Sequence, residues 1–244
     1  MPQALDQIST WIGNLSRQYV SVCAVHTVME CQWDETMRQA VNRAGLAAPD
    51  GMPLVWLGKW KSQVQVSRVY GPDLMLALCK LSTKRGYTHY FYGGASGVPE
   101  LLAKKLKCRF PGLKVVGTYS PPFHSLTAEE DAHIVEQINQ AAPDIVWVGL
   151  GTPKQDLWMA AHRKRLNAPV LIGIGAAFDF HTDRIPQAPS WMQHAGLEWL
   201  FRLWQEPQRL WYRYLIYNPL FMLLVLLQTI GWRKYTLGES HETP

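Results

Sequence analysis

Three times in this chain a short apolar run ends in glycine and passes into a polar stretch: THYFYGG at 88–94, DIVWVGLG at 144–151 and PVLIGIGAAFDF at 169–180. No other pattern restricts the fold as much. Apolar runs bounded by glycine read as strands buried on both faces. Parallel strands need crossover connections, usually helices, and such sheets have both faces covered.

The intervening segments supply those helices. DETMRQAVNRAG (34–45) has Asp34 as N-cap and Gly45 at its end; GPDLMLALCKLSTKRGY (71–87) has Pro72 in its first turn, Leu74, Leu78 and Leu81 on one face, and Gly86 as its stop. Further helices are expected over 98–112, over 128–143 and from Lys154 to Leu166, with a strand at 113–119. YVSVCAVHTV (19–28) reads as the first strand running into a turn, and Pro49, Asp50, Gly51 and Pro53 mark a loop after the 34–45 helix. The alternation predicts an α/β fold, a mostly parallel sheet with helices on both faces. Ligands of such sheets sit outside the carboxyl ends of the strands, where GGASG (93–97), GLGTPKQ (149–155) and GIGAAFDF (173–180) fall.

A net charge of +5 and a pI near 9.0 favour anionic partners: nucleic acid, acidic lipid headgroups or phosphorylated small molecules. Cys23, Cys31, Cys79 and Cys108 have neither CxxC spacing nor neighbouring histidines, so neither a zinc site nor a disulfide framework is expected and a reducing cytoplasm is the natural setting. The first twenty residues lack the continuous apolar stretch of a secretory signal.

Several motifs carry candidate chemistry. Gly93, Gly94 and Gly97 could cradle a phosphate between strand and helix, or serve a tight turn. Gly149 and Gly151 begin like a dinucleotide fingerprint, but Lys154 stands where its third glycine belongs, which weakens a nicotinamide reading. Lys154 and Gln155 would instead offer a cation and an amide at a pocket mouth. Asp50 lies in a turn, where aspartate commonly bonds the backbone. Asp179 and Asp183 do not form the Asp-x-Asp pair that holds a divalent metal against a nucleotide diphosphate, so no metal or other cofactor is expected.

The tail, EWLFRLWQEPQRLWYRYLIYNPLFMLLVLLQ (198–228), is the least ordinary segment. If 198–215 were one helix, Arg202, Arg209 and Arg213 would fall within about 40° of arc, a single cationic stripe. Pro207 threatens that continuity. The apolar stretch 221–232 is shorter than the roughly 20 residues of a bilayer span, and extending it backwards meets Pro219, Asn218 and Arg213. Its Trp, Tyr, Arg and Lys around a Leu-rich face fit an interfacial helix instead.

Taken in order, PDGMPLVW, RVYGPDLM, FYGGASG, PDIVWVGLGTPKQDLW, GIGAAFDF, APSWMQHAGLEWLFRLWQEPQRLW and NPLF resemble the WecG/TagA/CpsF family of bacterial glycosyltransferases, glycosyltransferase family 26, from about Tyr19 to Leu227. The resemblance implies a Rossmann-like domain over 1–195 and a C-terminal helical appendage over 196–244 that contacts membrane and completes the active site. It implies an inverting, metal-independent transfer of an N-acetylmannosamine-type or glucose-type sugar from a UDP-sugar to a polyprenyl-diphosphate-linked saccharide in cell-surface polysaccharide or teichoic-acid-type assembly. The enzyme would sit peripherally on the cytoplasmic face of the plasma membrane and would not act on nucleic acid; self-association into a homo-oligomer is left open.

The resemblance makes the aspartate of PDGM, Asp50, the general base. Arg68, Gln155, Arg202 and Arg209 become candidates to stabilise the departing diphosphate, and Gly93, Gly94 and Gly97 to line the nucleotide pocket, with Gly149, Gly151, Lys154 and Arg213 as further substrate contacts. Family members often carry Thr-x-Asn in the first strand where this chain has Val22, Cys23 and Ala24; His26 and Thr27 are candidates for replacement polarity. Loss of that pair supports a second reading, a catalytically silent lipid- or nucleotide-binding module of a polysaccharide assembly complex.

Overall fold

Strand registers place the site. The computed structural model describes residues 1–61, 66–122 and 124–235. These residues contain the strands β1 (Gln18–Cys23), β2 (Leu46–Pro49), β3 (Thr88–Gly93), β4 (Lys114–Tyr119), β5 (Ile145–Gly149) and β6 (Val170–Gly173). All pair in parallel in the order β2-β1-β6-β5-β3-β4. Cys23 lies beside Pro49, Gly93 beside Gly149 and Val148 beside Gly173, so the central strands end nearly level. The segments that follow them therefore converge on one edge, as the α/β reading requires.

Alternation along the strands divides the core. Phe91, Ile145, Trp147, Val20 and Ile172 face α1 (Pro2–Gly13), α5 (Gly71–Arg85), α6 (Val98–Arg109) and α9 (Ala177–His181). Tyr90, Tyr92, Val146, Val148 and Leu171 point to the opposite side, where α7 (Ala128–Ala141) and α8 (Lys154–His162) supply Ile134, Ile138 and Met159. Trp147 is fully buried, and its Nε1 donates to His89 Nδ1 at 2.9 Å. Burial lowers the His89 pKa to about 4, which keeps the imidazole neutral and able to accept.

Helix ends follow the expected chemistry. Asp34 caps α3 (Glu35–Asn42) by accepting from the Thr36 and Met37 amides, Pro72 lies in the first turn of α5, and Gly86 ends it in the left-handed region with φ 80°.

Four expectations need correction. The first strand stops at Cys23, and Val25–Trp33 form a helix, α2, because Ala24 is extended and donates its N–H to the Thr27 hydroxyl to start a new turn. The expected loop after α3 contains β2, followed by an unforeseen helix, α4 (Met52–Lys61). The strand expected through Phe180 ends at Gly173, and the AFDF portion opens α9.

The fourth correction concerns the tail. After α10 (Ser190–His194), α11 (Glu198–Gln205) ends at Glu206, whose φ −135° and ψ 60° break the helix immediately before Pro207. Helical structure then resumes in α12 (Pro207–Trp211), a π turn (Tyr212–Ile216) and α13 (Tyr217–Thr229). The wide turn precedes Pro219, which cannot donate the usual bond to the fourth residue back. The run Pro207–Thr229, 23 residues, is long and apolar enough to cross a membrane, longer than the expected apolar stretch at 221–232. One face is buried against the domain: Tyr217, Phe221 and Leu224 pack on Val25 and Met29 of α2. Of the appendage, residues 236–244 lie outside those described.

Candidate active site

At the carboxyl end of β2 the parallel ladder continues one step, with the Asp50 amide donating to Cys23 O at 2.8 Å. This fixes the backbone of Asp50 at the carboxyl end of the sheet. Arg68 arrives on an extended segment held by Val69 N–H on Pro49 O at 2.8 Å. Its Nε donates to Asp50 O at 2.5 Å and its Nη2 approaches Asp50 Oδ1 at 3.5 Å. The same Nη2 donates to Glu198 Oε2 at 2.6 Å, and Tyr70 OH donates to Glu198 Oε1 at 2.9 Å, with Gln187 Nε2 donating to the Tyr70 oxygen at 3.0 Å. The Arg68 guanidinium lies 4.2 Å from the Tyr70 ring centroid. A residue of the tail thus shares the arginine that faces Asp50.

Electrostatics follow from that sharing. Burial pushes the Asp50 pKa up to about 7; Arg68 and Arg202 oppose the shift and Glu198 reinforces it. Burial works against the Arg68 charge, but Asp50 and Glu198 more than offset it, so Arg68 stays a cation. Asp50 is therefore a carboxylate that titrates near neutrality, the property of a general base.

A second cluster lies over β1 and β5. His26, in the first turn of α2, is held neutral by burial and by the charges of Arg213 and Arg202. Arg213 Nη2 reaches Thr152 O at 3.5 Å, and the Arg202 guanidinium stands 5.6 Å from the Phe180 ring centroid. Arg202 Nε is buried and has no hydrogen-bond partner among the described residues. Asp50 and Glu198 face Arg68, Asp179 acts on Arg202 and Glu30 acts on Arg213, while the first N–H groups of α2 add positive potential. The place suits an anion.

The other expected residues are distributed as follows. Arg209 lies beyond the break at Glu206 and pairs with that residue's carboxylate at 2.5 Å, so the three tail arginines do not form one stripe. Thr27 is fully buried, its hydroxyl committed to the Ala24 amide. Gln155 is buried as well: its Oε1 accepts from Gly175 N–H at 2.9 Å, tying the loop after β5 to the loop after β6. Lys154 is exposed at the start of α8. Val22 belongs to the core, while Ala24 sits at the N-terminal cap of α2 beside the site.

The glycines divide by role. A Cβ on Gly97 or Gly151, both at positive φ, would meet open space, so these two keep the backbone accessible to a ligand. Gly93 has φ 122°, and a Cβ there would lie 2.6 Å from the Gly149 backbone. Gly93→Ala is expected to lower unfolding stability by about 2–4 kcal/mol, the sum of overpacking and an unfavourable φ, measured by denaturant titration.

Sequence reasoning missed Glu198 and Asp156. Glu198 lies inside the quoted GLEWLFRLW motif, but nothing local shows that it would meet Arg68. Asp156 is fully buried and accepts from Ser21 Oγ at 2.6 Å and Thr152 Oγ1 at 2.9 Å, so it secures the loop whose carbonyl meets Arg213. Among the described residues no three His, Cys, Asp or Glu side chains converge as a metal site. A surface groove of about 520 Å³ between α6 and β4 lies at the opposite sheet edge and contains none of these residues.

Comparison with known proteins adds to this geometry. The family model described as "Glycosyl transferase WecG/TagA/CpsF family" matches residues 1–235. An N-acetylglucosaminyldiphosphoundecaprenol N-acetyl-beta-D-mannosaminyltransferase of Bacillus subtilis (strain 168) is 30% identical over 234 residues, covering 93% of this chain and 89% of the relative. A protein of the same name from Bacillus spizizenii is 28% identical over 186 residues, covering 76% of this chain and 70% of the relative.

Proposed function

Because the chain belongs to the WecG/TagA/CpsF family of glycosyl transferases, we propose that it transfers an N-acetylmannosamine-type or glucose-type sugar, with inversion, from a UDP-sugar to a polyprenyl-diphosphate-linked saccharide. The observation that carries this reading is Asp50: a carboxylate at the ligand edge of a parallel sheet, titrating near neutrality beside guanidiniums that can receive a diphosphate. The names of the two relatives favour N-acetylmannosamine as the donor sugar and a GlcNAc-diphospho-lipid as acceptor.

The chemistry follows from the arrangement. Asp50 takes the proton of the acceptor hydroxyl as that oxygen attacks the anomeric carbon from the face opposite UDP. The C–O bond to UDP breaks, and negative charge grows on the β-phosphate. Arg202 and Arg213 lie where fixed positive charge would stabilise it, with neutral His26 as a further donor. Glu198 draws Arg68 away from Asp50 and so preserves the carboxylate's basicity.

The appendage supplies both charge and membrane contact. Tyr217, Phe221 and Leu224 hold α13 to α2, while Met222, Leu223 and Leu226 remain exposed on its other side. That exposed apolar side, on a helix held to the domain by its other side, supports a peripheral foot on the cytoplasmic membrane face.

The direct test is product formation by the full chain from UDP-N-acetylmannosamine or UDP-glucose with a short-chain GlcNAc-diphospho-lipid, read by mass spectrometry. Absence of transfer from every UDP-sugar, with substrates bound, would instead favour a silent binding module. The pH profile is equally specific. With Asp50 as base, kcat/KM rises about tenfold per pH unit up to about 7 and then levels. Glu198→Gln removes a charge that raises the Asp50 pKa, so the acid limb moves to lower pH; an unmoved limb would deny the coupling.

A further inference from the structure

α4 begins two residues after Asp50, and its two sides differ sharply. Val55 is buried, and Leu54 and Leu57 pack onto the cluster formed by Val25, Met29, Tyr217, Phe221 and Leu224, so the helix lies against α2 and α13. Gly58 admits close approach: a Cβ there would stand 3.1 Å from Val66 Cγ2. On the outward side Trp56 and Trp60, four residues apart and hence one above the other, are 51% and 65% exposed. Lys59 and Lys61 lie exposed in the last turn.

Trp56 on this side meets the start of the tail. A Cβ on Gly196 would come within 2.9 Å of Trp56 Cη2, so α4 also meets the turn between α10 and α11. It therefore sits between α11, which exposes Leu200 and Trp204, and α13, which exposes Met222, Leu223 and Leu226. Soluble chains seldom display apolar side chains on three adjoining elements without a partner. Paired tryptophans beside lysines are the composition of a segment seated in a bilayer interface, and lysine complements acidic headgroups.

We propose that α4 is a second membrane-contacting element, with Trp56 and Trp60 in the interfacial layer of an anionic phospholipid bilayer and Lys59 and Lys61 on its headgroups. Asp50, at the other end of α4, is then held near the depth at which a lipid-linked diphosphate leaves the bilayer. The inference rests on the reading of the tail as a membrane foot and extends it to a segment joined covalently to the proposed base.

The experiment uses the full chain, with its tail intact, and vesicles of phosphatidylethanolamine containing phosphatidylglycerol, compared with phosphatidylcholine alone. Partitioning requires neither donor nor acceptor, so that readout is independent of whether sugar transfer occurs. The double substitution Lys59→Gln, Lys61→Gln is expected to weaken partitioning to the anionic vesicles by roughly 25-fold at low salt, about fivefold per lysine, and to leave the neutral vesicles unaffected. Trp60→Ser should weaken partitioning to both. Turnover of a short-chain, water-soluble acceptor should be unchanged in each variant. Parental partitioning of all these variants would overturn the proposal, as would a lipid-free dimer that the same substitutions dissociate, since the face would then belong to a second copy.

Discussion

Asp50→Asn reduces kcat by about 10²–10⁴-fold on a UDP-sugar and a diphospho-lipid acceptor, the range that a positioned general base contributes. Asparagine preserves the volume and can still accept from Arg68, so the Arg68–Glu198 pair and the seat of α11 persist. The accompanying stability measurement separates lost chemistry from lost structure. Burial raises the folded-state pKa of Asp50, so ionising it costs stability as pH rises from 3.8 to about 7. The Asn variant, which has nothing to ionise, therefore melts no lower than the parent above pH 7. Full turnover by this variant would remove Asp50 from the mechanism.

Truncation after Gly196 should abolish turnover even on a short-chain, water-soluble acceptor. It removes Glu198, Arg202 and Arg213 from around Asp50 and His26, and an anchor alone would leave that activity intact. The deletion also uncovers Val25 and Met29, which α13 covers. Arg202→Gln is the companion that keeps this packing. It should lose about 10²–10³-fold in kcat, as removal of one transition-state donor does, while its vesicle partitioning stays parental. Loss of partitioning without loss of soluble turnover in the truncated protein would reduce the tail to a foot.

Most of the sheet was legible because its signals are local. Asp34, Pro72 and Gly86 act within a turn of their own helices, and apolar runs such as DIVWVG carry their burial in consecutive residues. β2 and α4 were not legible for equally physical reasons. β2 spans only Leu46–Pro49 and owes its place to the ladder with β1. In α4 a proline, a glycine and two tryptophans spoil the helical period, and the close approach of Val66 to that glycine is a tertiary contact.

The candidate site was legible in parts. Asp50 and Arg68 stood in recognisable motifs, but the partner they share, Glu198, is separated from Arg68 by 130 residues. Arg202, Arg209 and Arg213 looked equivalent under helical periodicity. Glu206 made them unequal, since its non-helical backbone sends Arg209 to a local ion pair and leaves Arg202 and Arg213 near His26.

What the sequence by itself determined is the α/β class, the places of α3 and of α5 to α8, and the residue types available to bind an anion, because periodicity, capping and composition act over a few residues. Only the tertiary structure decided which charges meet and how far the tail helix extends. Parallel pairing levels the ends of β1, β2, β5 and β6, and packing of α11 and α13 brings distant arginines and a glutamate over them. Proton affinity at Asp50 is set by desolvation and by charges from those remote segments, which act through space and leave no trace in local sequence.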